Sequence, residues 1–337
     1  MNIQENIPLA EHTTFKIGGP ARLFCSVTDE RELEEAAALA RERGMKAFIL
    51  GGGSNVLVSD EGFPGLVIKM GIMGMTERDG VLSAGAGELW DDAVSFAVSK
   101  GLYGIENLSA IPGTVGAAPI QNIGAYGAEA ASAIRTVRAF DLKEGRFVEL
   151  AGTDCRFGYR DSLFKHEKGR YAVVRVDLAL KKDGMTDIGY RDLKLYFSEG
   201  KGAGTEPTLA AVRDAVIDIR WHKLPDWKLW GTAGSFFKNP IVAAEAYEAL
   251  KARYPGLPGF PEPDGRVKLS LAWILDKVCA VKELCVGGAC VYEKQALVVV
   301  AKPGASAAEV VALAQELMKR VKDATGIGIE AEVEWVN

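Results

Sequence analysis

Histidine is scarce in this chain: His12, His166 and His222 are the only three in 337 residues. That scarcity speaks against a structural zinc centre and against hydrolases built on a histidine base. Cysteine is limited to five residues, Cys25, Cys155, Cys279, Cys285 and Cys290, with no C-x-x-C pair. Their odd number and irregular spacing lead us to expect reduced, mostly buried thiols in a cytoplasmic protein. No apolar run approaches the length of a membrane span. Met1 to Glu11 lacks the basic and apolar regions of a secretory signal. The formal net charge is −5 with no basic stripe, which argues against a nucleic-acid partner. A Walker A loop is missing. So is the dinucleotide fingerprint G-x-G-x-x-G: Gly85-Ala86-Gly87 begins one, but Trp90 stands at the third glycine.

What the chain does have is an uncharged stretch from Ala110 to Gly127, with Gly113, Gly116, Gly124 and Gly127 stiffened by Pro112 and Pro119. It fits neither helical nor strand periodicity. Two readings are open for it: a buried turn under a domain, or a wall of backbone N–H groups moulded to a flat, phosphate-bearing cofactor. A second cluster, Leu50-Gly51-Gly52-Gly53-Ser54-Asn55-Val56-Leu57, favours the cofactor.

The length predicts two or three domains. Ala21–Val27 reads as a strand, followed by a helix that opens at Asp29 and Glu32 and turns Leu33, Ala36, Ala37 and Ala40 inward, with Gly44 as its stop. Ala47–Leu50 then runs into the first glycine cluster, completing a βαβ unit. Strands are expected at 66–68 and 81–84. A helix is expected over 88–100, with Leu89, Ala93, Phe96 and Ala97 inward. Strands follow at 134–140, 146–150 and 171–180. Residues 183–207 are polar and glycine-rich and read as a mobile connection or insertion. Thr208 caps a helix with Val212, Ala215, Val216 and Ile219 inward. Beyond residue 220 the character changes, with a glycine-flanked strand at 231–238, helices at 242–253 and 269–278, and a strand at 297–301. Ser306 with Glu309 opens a helix that ends at Gly326, and 329–336 reads as a terminal strand.

Several segments resemble, in order, the bacterial UDP-N-acetylenolpyruvoylglucosamine reductases of peptidoglycan precursor synthesis. They are residues 14–21, 50–57 and 111–127, then Cys155-Arg156-Phe157-Gly158-Tyr159-Arg160-Asp161-Ser162, Gly234-Ser235-Phe236-Phe237-Lys238-Asn239-Pro240, and Glu330-Ala331-Glu332-Val333. The resemblance covers nearly the whole chain. It implies an α+β protein: a FAD-binding domain of the vanillyl-alcohol-oxidase type, built from two α/β subdomains, followed by a smaller α+β substrate-binding domain. The implied division is 1–70 and 71–218 for the FAD-binding subdomains, with the terminal strand 328–337 joining the first, and 219–327 for the substrate domain. It further implies non-covalent FAD, NADPH as co-substrate and UDP-N-acetylglucosamine enolpyruvate as substrate, in a cytoplasmic monomer. Residues 183–207, with Tyr190, resemble the loop of the longer subtype, whose tyrosine closes over the nucleotide sugar. Ala331, where proline is common, and Glu334, where a basic residue occurs, depart from relatives. An oxygen-using FAD oxidase of the same fold is the alternative, and a non-catalytic nucleotide-sugar binder is a third reading.

For such a reductase, hydride adds to the terminal vinyl carbon, and the negative charge that develops on its neighbour spreads into the carboxylate. The resemblance assigns that carboxylate to Arg160, whose planar fork suits it. By itself Arg160–Asp161 reads as a surface ion pair. Tyr159 is placed on the substrate. Glu332, which alternates with Glu330 and Glu334 on the last strand, reads by itself as part of a solvated edge. The resemblance makes it a catalytic carboxyl, in a setting of FAD and anionic substrate that favours a raised pKa. Ser235, otherwise a small residue in a strand, becomes the proton donor, with Lys238 nearby. Lys223, Lys238, Asn239 and Tyr190 are assigned to the nucleotide sugar. Cofactor contacts are expected from Leu50, Gly51, Gly52, Gly53, Ser54, Asn55, Ile111, Pro112, Gly113, Thr114, Gly116, Asn122, Gly124, Ala125 and Tyr126. No histidine is assigned to flavin attachment and no residue to a metal.

Overall fold

The computed structural model describes residues 1–337, which form two compact units. The first comprises Met1–Ile7, Ala21–Gly53 and Pro64–His222; the second comprises Pro8–Pro20, Ser54–Phe63 and Lys223–Asn337.

In the first unit the βαβ expectation holds. Asp29 accepts a hydrogen bond from the Glu32 N–H and starts the helix Glu30–Glu42. Its Leu33, Ala36, Ala37 and Ala40 pack with Leu23, Cys25, Val27, Leu66, Ile68 and Met70 in one core. Ala47–Leu50 pairs in parallel with Phe63–Met70, so the glycine cluster leaves the carboxyl end of a parallel strand. A second sheet has the order Arg146–Ala151, Ile134–Asp141, Tyr171–Ala179, Val81–Gly85, Met75–Arg78, with every pair antiparallel. The same core serves both sheets.

Two expectations need correction here. The helix after residue 88 begins at Trp90, and Leu89 is 53% exposed rather than inward. Leu89 is the extended residue ahead of the first turn and bridges to Thr114, so the helical repeat does not govern it. The buried face is Trp90, Ala93, Val94 and Ala97, and the Trp90 indole N–H donates to Leu108 O at 2.9 Å. The stretch 183–207, in turn, is not simply a mobile connection. It contains the helix Arg191–Ser198, whose Leu193 and Phe197 pack on Val212, Ala215, Val216 and Ile219 of the helix Leu209–Lys223.

The second unit is built on a sheet of order Gly231–Ser235, Gln295–Ala301, Ala289–Tyr292, Cys285–Val286. The helix Ala307–Thr325 opens with a full capping box: Ser306 Oγ accepts from Glu309 N–H, and Glu309 Oε2 accepts from Ser306 N–H. Not all five thiols are free. Cys285 and Cys290 are joined in a disulfide. The Gly287-Gly288 turn sets these two residues directly opposite each other across a hairpin, which their linear spacing conceals. The expected terminal strand is also divided. Residues 330–332 bond to the segment 236–238, and only Glu334–Val336 forms a strand, parallel to Val56–Val58. The segment changes partner midway, so its alternation does not mark one continuous edge.

Candidate active site

The two glycine clusters meet in the first unit. A Cβ on Gly51 would lie 2.7 Å from Thr114 Oγ1, and one on Gly52 would lie 2.7 Å from Gly113 Cα. Gly116 packs as closely on Ala86, where a Cβ would meet the alanine methyl at 2.5 Å. These contacts require glycine. The Thr114 hydroxyl is buried between the clusters and has no hydrogen-bond partner. A cradle closed to side chains, carrying an unsatisfied buried hydroxyl, fits a phosphate-bearing cofactor such as FAD.

A Gly52→Val protein is therefore expected to lose its flavin. Its added carbons meet backbone that cannot yield, and FAD affinity should fall at least about tenfold. The ratio of flavin to protein absorbance after purification measures this. Gly328→Ala, where an added methyl meets nothing within 4 Å, should retain the flavin.

The central segment is pinned at its start. Ala110 is left-handed (φ 56°). Its N–H donates to Asp91 Oδ1 at 2.6 Å, and its carbonyl accepts from Arg220 Nε at 3.1 Å. Arg213 grips both Asp91 oxygens, at 2.6 and 2.8 Å. Burial works to raise the Asp91 carboxyl, but Arg213 and the Ala110 N–H outweigh it and hold the pKa below the ordinary value. Further along, Asn122 is left-handed and fully buried. Its amide donates to Glu129 Oε2 and Gly158 O and accepts from Ala131 N–H, so the side chain shapes the segment. Tyr126 meets Tyr190 edge to face, with ring centroids 5.4 Å apart. Burial pushes the Tyr126 phenol up to about 12.

Tyr159 and Arg160 sit at the tip of a tight turn closed by reciprocal backbone bonds between Gly158 and Asp161. Arg160 is left-handed (φ 52°) and stacks on the Tyr159 ring at 5.4 Å. Its Nη2 donates to Gly124 O at 2.6 Å. Asp161 pairs with His166, at 2.8 Å.

In the second unit, the strand carrying Ser235 adjoins the segment carrying Glu332. Glu332 N–H donates to Phe236 O at 2.8 Å, and Phe237 bridges Ala331. Asn55 fixes the other side of this segment: its Nδ2 donates to Glu332 O at 3.1 Å, and its carbonyl accepts from Glu334 N–H at 3.0 Å. Ser235 follows a left-handed Gly234 (φ 72°) and a register shift against the neighbouring strand. That kink leaves Ser235 exposed while Phe236 and Phe237 are buried. Lys238 Nζ lies 3.8 Å from Glu330, Asn239 accepts from Leu271 N–H, and Lys223 is exposed. Sequence reasoning missed Asp91, Arg213 and Arg220. Nothing local marks a pair 122 residues apart.

Residues 21–151 match the model of the FAD binding domain family, and residues 225–336 match that of the UDP-N-acetylenolpyruvoylglucosamine reductase C-terminal domain. Fold and site thus define a two-part FAD-binding flavoprotein. The UDP-N-acetylenolpyruvoylglucosamine reductase of Neisseria gonorrhoeae is 45% identical, over 99% of this chain and 97% of the relative. That of Ralstonia nicotianae is 43% identical, over 98% of each chain. The crystal structure of the reductase from Thermus caldophilus superposes with a TM-score of 0.71 at 27% identity, covering 100% of both chains. This chain belongs to the UDP-N-acetylenolpyruvoylglucosamine reductase family.

Proposed function

We propose that this chain is an NADPH-consuming reductase that converts UDP-N-acetylglucosamine enolpyruvate to UDP-N-acetylmuramate for peptidoglycan synthesis. The glycine clusters around Gly52 and Gly113, with Thr114, would hold FAD, which would supply the hydride chemistry between NADPH and the vinyl carbon. The protein's own residues do the rest. Arg160 holds the substrate carboxylate and takes up the charge that spreads into it. Ser235 delivers the proton to the neighbouring carbon. Glu332, on the adjoining segment, is the catalytic carboxyl that, when protonated, hydrogen-bonds the developing enolate. Lys223, Lys238 and Asn239 serve the diphosphate, Tyr159 hydrogen-bonds the substrate beside Arg160, and Tyr190 closes over the nucleotide sugar. The enzyme works as a cytoplasmic monomer.

The observation that carries this reading is the hydrogen-bonded pairing of residues 236–238, which directly follow Ser235, with the segment 330–332. It sets a hydroxyl and a carboxyl on adjoining segments of the unit that matches the reductase C-terminal domain. The oxidase alternative leaves that domain without a role and is not favoured.

The visible spectrum tests the reading. The purified protein should be yellow, bleach anaerobically with NADPH, and regain colour when the enolpyruvyl substrate is added. Denaturation should release all of the flavin to the supernatant. A flavin that NADPH does not reduce, or that stays attached after denaturation, overturns it.

A further inference from the structure

Asn107 lies on a short 3₁₀ turn ahead of the central segment and is 3% exposed. Its Nδ2 donates to Tyr126 O at 2.9 Å and to Asp187 O at 2.8 Å. The two acceptors belong to different segments: Tyr126 lies in the last turn of the glycine-rich stretch, one residue before Gly127, and Asp187 stands three positions before Tyr190. Both are carbonyl oxygens, so only the amide's NH₂ end can face them and its orientation is fixed. The opposite end, Oδ1, is buried and has no partner. A polar side chain that leaves its acceptor bare in order to make two donations is placed for those donations.

Other contacts converge on the same place. Tyr190 meets Tyr126 edge to face, and Tyr126 and Ile188 pack against the small core of Leu193, Phe197, Val212 and Val216. Thr186 Oγ1 ties the base of the insertion to Pro207 O at 2.6 Å, and Gly189 N–H is turned back onto Asp187 Oδ1 at 2.8 Å. Between that base and the helix Arg191–Ser198, the bond from Asn107 to Asp187 O is the one that fastens the insertion's backbone to the glycine-rich segment's own anchor.

We propose that Asn107 is a positioning residue that latches the tyrosine-bearing insertion to the central segment, so that one buried amide sets where Tyr190 stands. The role assigned to Tyr190 rests on the function proposed above; the latch itself does not. Because the latch works by donation, Asn107→Asp is the discriminating variant. It keeps the shape but turns a carboxylate oxygen toward two carbonyls. Asn107→Ser, smaller and neutral, is the companion.

The first readout is limited trypsin digestion of the FAD-loaded protein, following cleavage after Arg191, Lys194 and Lys201. Cleavage there tracks how often the insertion opens. Losing both donations should speed it about tenfold or more in both variants, with Asp at least as fast as Ser. The second readout is KM for the nucleotide sugar, expected to rise about tenfold with a smaller change in kcat. Tyr190→Phe should raise KM but leave cleavage at the wild-type rate.

Wild-type cleavage in Asn107→Asp overturns the latch, because it means that shape alone suffices. Cleavage spread over the whole chain in both variants also overturns it, because Asn107 then supports the fold in general. Faster cleavage with an unchanged KM, in Tyr190→Phe as well, upholds the latch and removes Tyr190 from the nucleotide sugar.

Discussion

A Ser235→Ala protein is expected to take up reducing equivalents from NADPH almost as the wild type does, and to pass them to the nucleotide sugar roughly 10²–10⁴-fold more slowly, the usual cost of a lost general acid. The asymmetry follows from where the proton is needed. Bleaching of the flavin by NADPH delivers no proton to a carbon of the sugar; reduction of the enolpyruvyl group does. The fold should be indifferent to the change, because Ser235 is exposed and its strand is fixed by Phe236 and Phe237, both buried. A bare hydroxyl is a weak acid, but the carbanion it would protonate is a strong base. Ser235→Cys should recover part of the rate, because a thiol also donates. Stopped-flow absorbance on the two half-reactions decides the matter. Equal slowing of both halves would make Ser235 a residue that positions ligands. No slowing of either would move the proton to Glu332 or a bound water.

The parts of this molecule that were legible in the sequence share one property: the information is local. Ser306 and Glu309 form the capping box that their spacing predicts, and Asp29 starts its helix, because cap and first turn lie within four residues. The glycine clusters announced themselves by composition, and the structure closes them on each other, with Gly52 against Gly113. What stayed hidden is non-local or is masked by local polarity. Asp91 and Arg213 are distant in sequence, and each is an ordinary surface residue when read alone. The helix Arg191–Ser198 contributes only Leu193 and Phe197 to a core, too few for a periodic signal among glycines and charges. Cys285 and Cys290 are opposed only once the Gly287-Gly288 turn is recognised. The terminal segment alternates like one strand, yet it divides its hydrogen bonds between residues 236–238 and Val56–Val58. For the candidate site the same division holds. Ser235 and Glu332 stood in recognisable motifs, whereas the amide of Asn107 and the grip of Asn55 on the Glu332 segment exist only in three dimensions.

Arg160→Lys is expected to cost about 10²-fold in reoxidation of the flavin by the nucleotide sugar, although the charge is kept. The backbone gives no reason for a loss. Arg160 is left-handed at φ 52°, and lysine bears the same conformational penalty there. The Gly158–Asp161 turn and the bond from Lys165 Nζ to Arg160 O, at 3.0 Å, involve main-chain atoms that the substitution leaves in place. What changes is the head group. One arm of the guanidinium already donates to Gly124 O at 2.6 Å, and its plane rests over the Tyr159 ring. A fork can hold that carbonyl with one arm and offer the rest of its edge to a carboxylate. A single ammonium has to choose, and it stacks less well on the ring. Arg160→Met, which removes the charge too, should fall further, and the step between the two variants measures charge alone. An unchanged flavin spectrum in both would show that the Gly124 region has kept its shape. Turnover of Arg160→Lys close to that of the wild type would remove Arg160 from the carboxylate and leave it as a brace between the turn and the central segment.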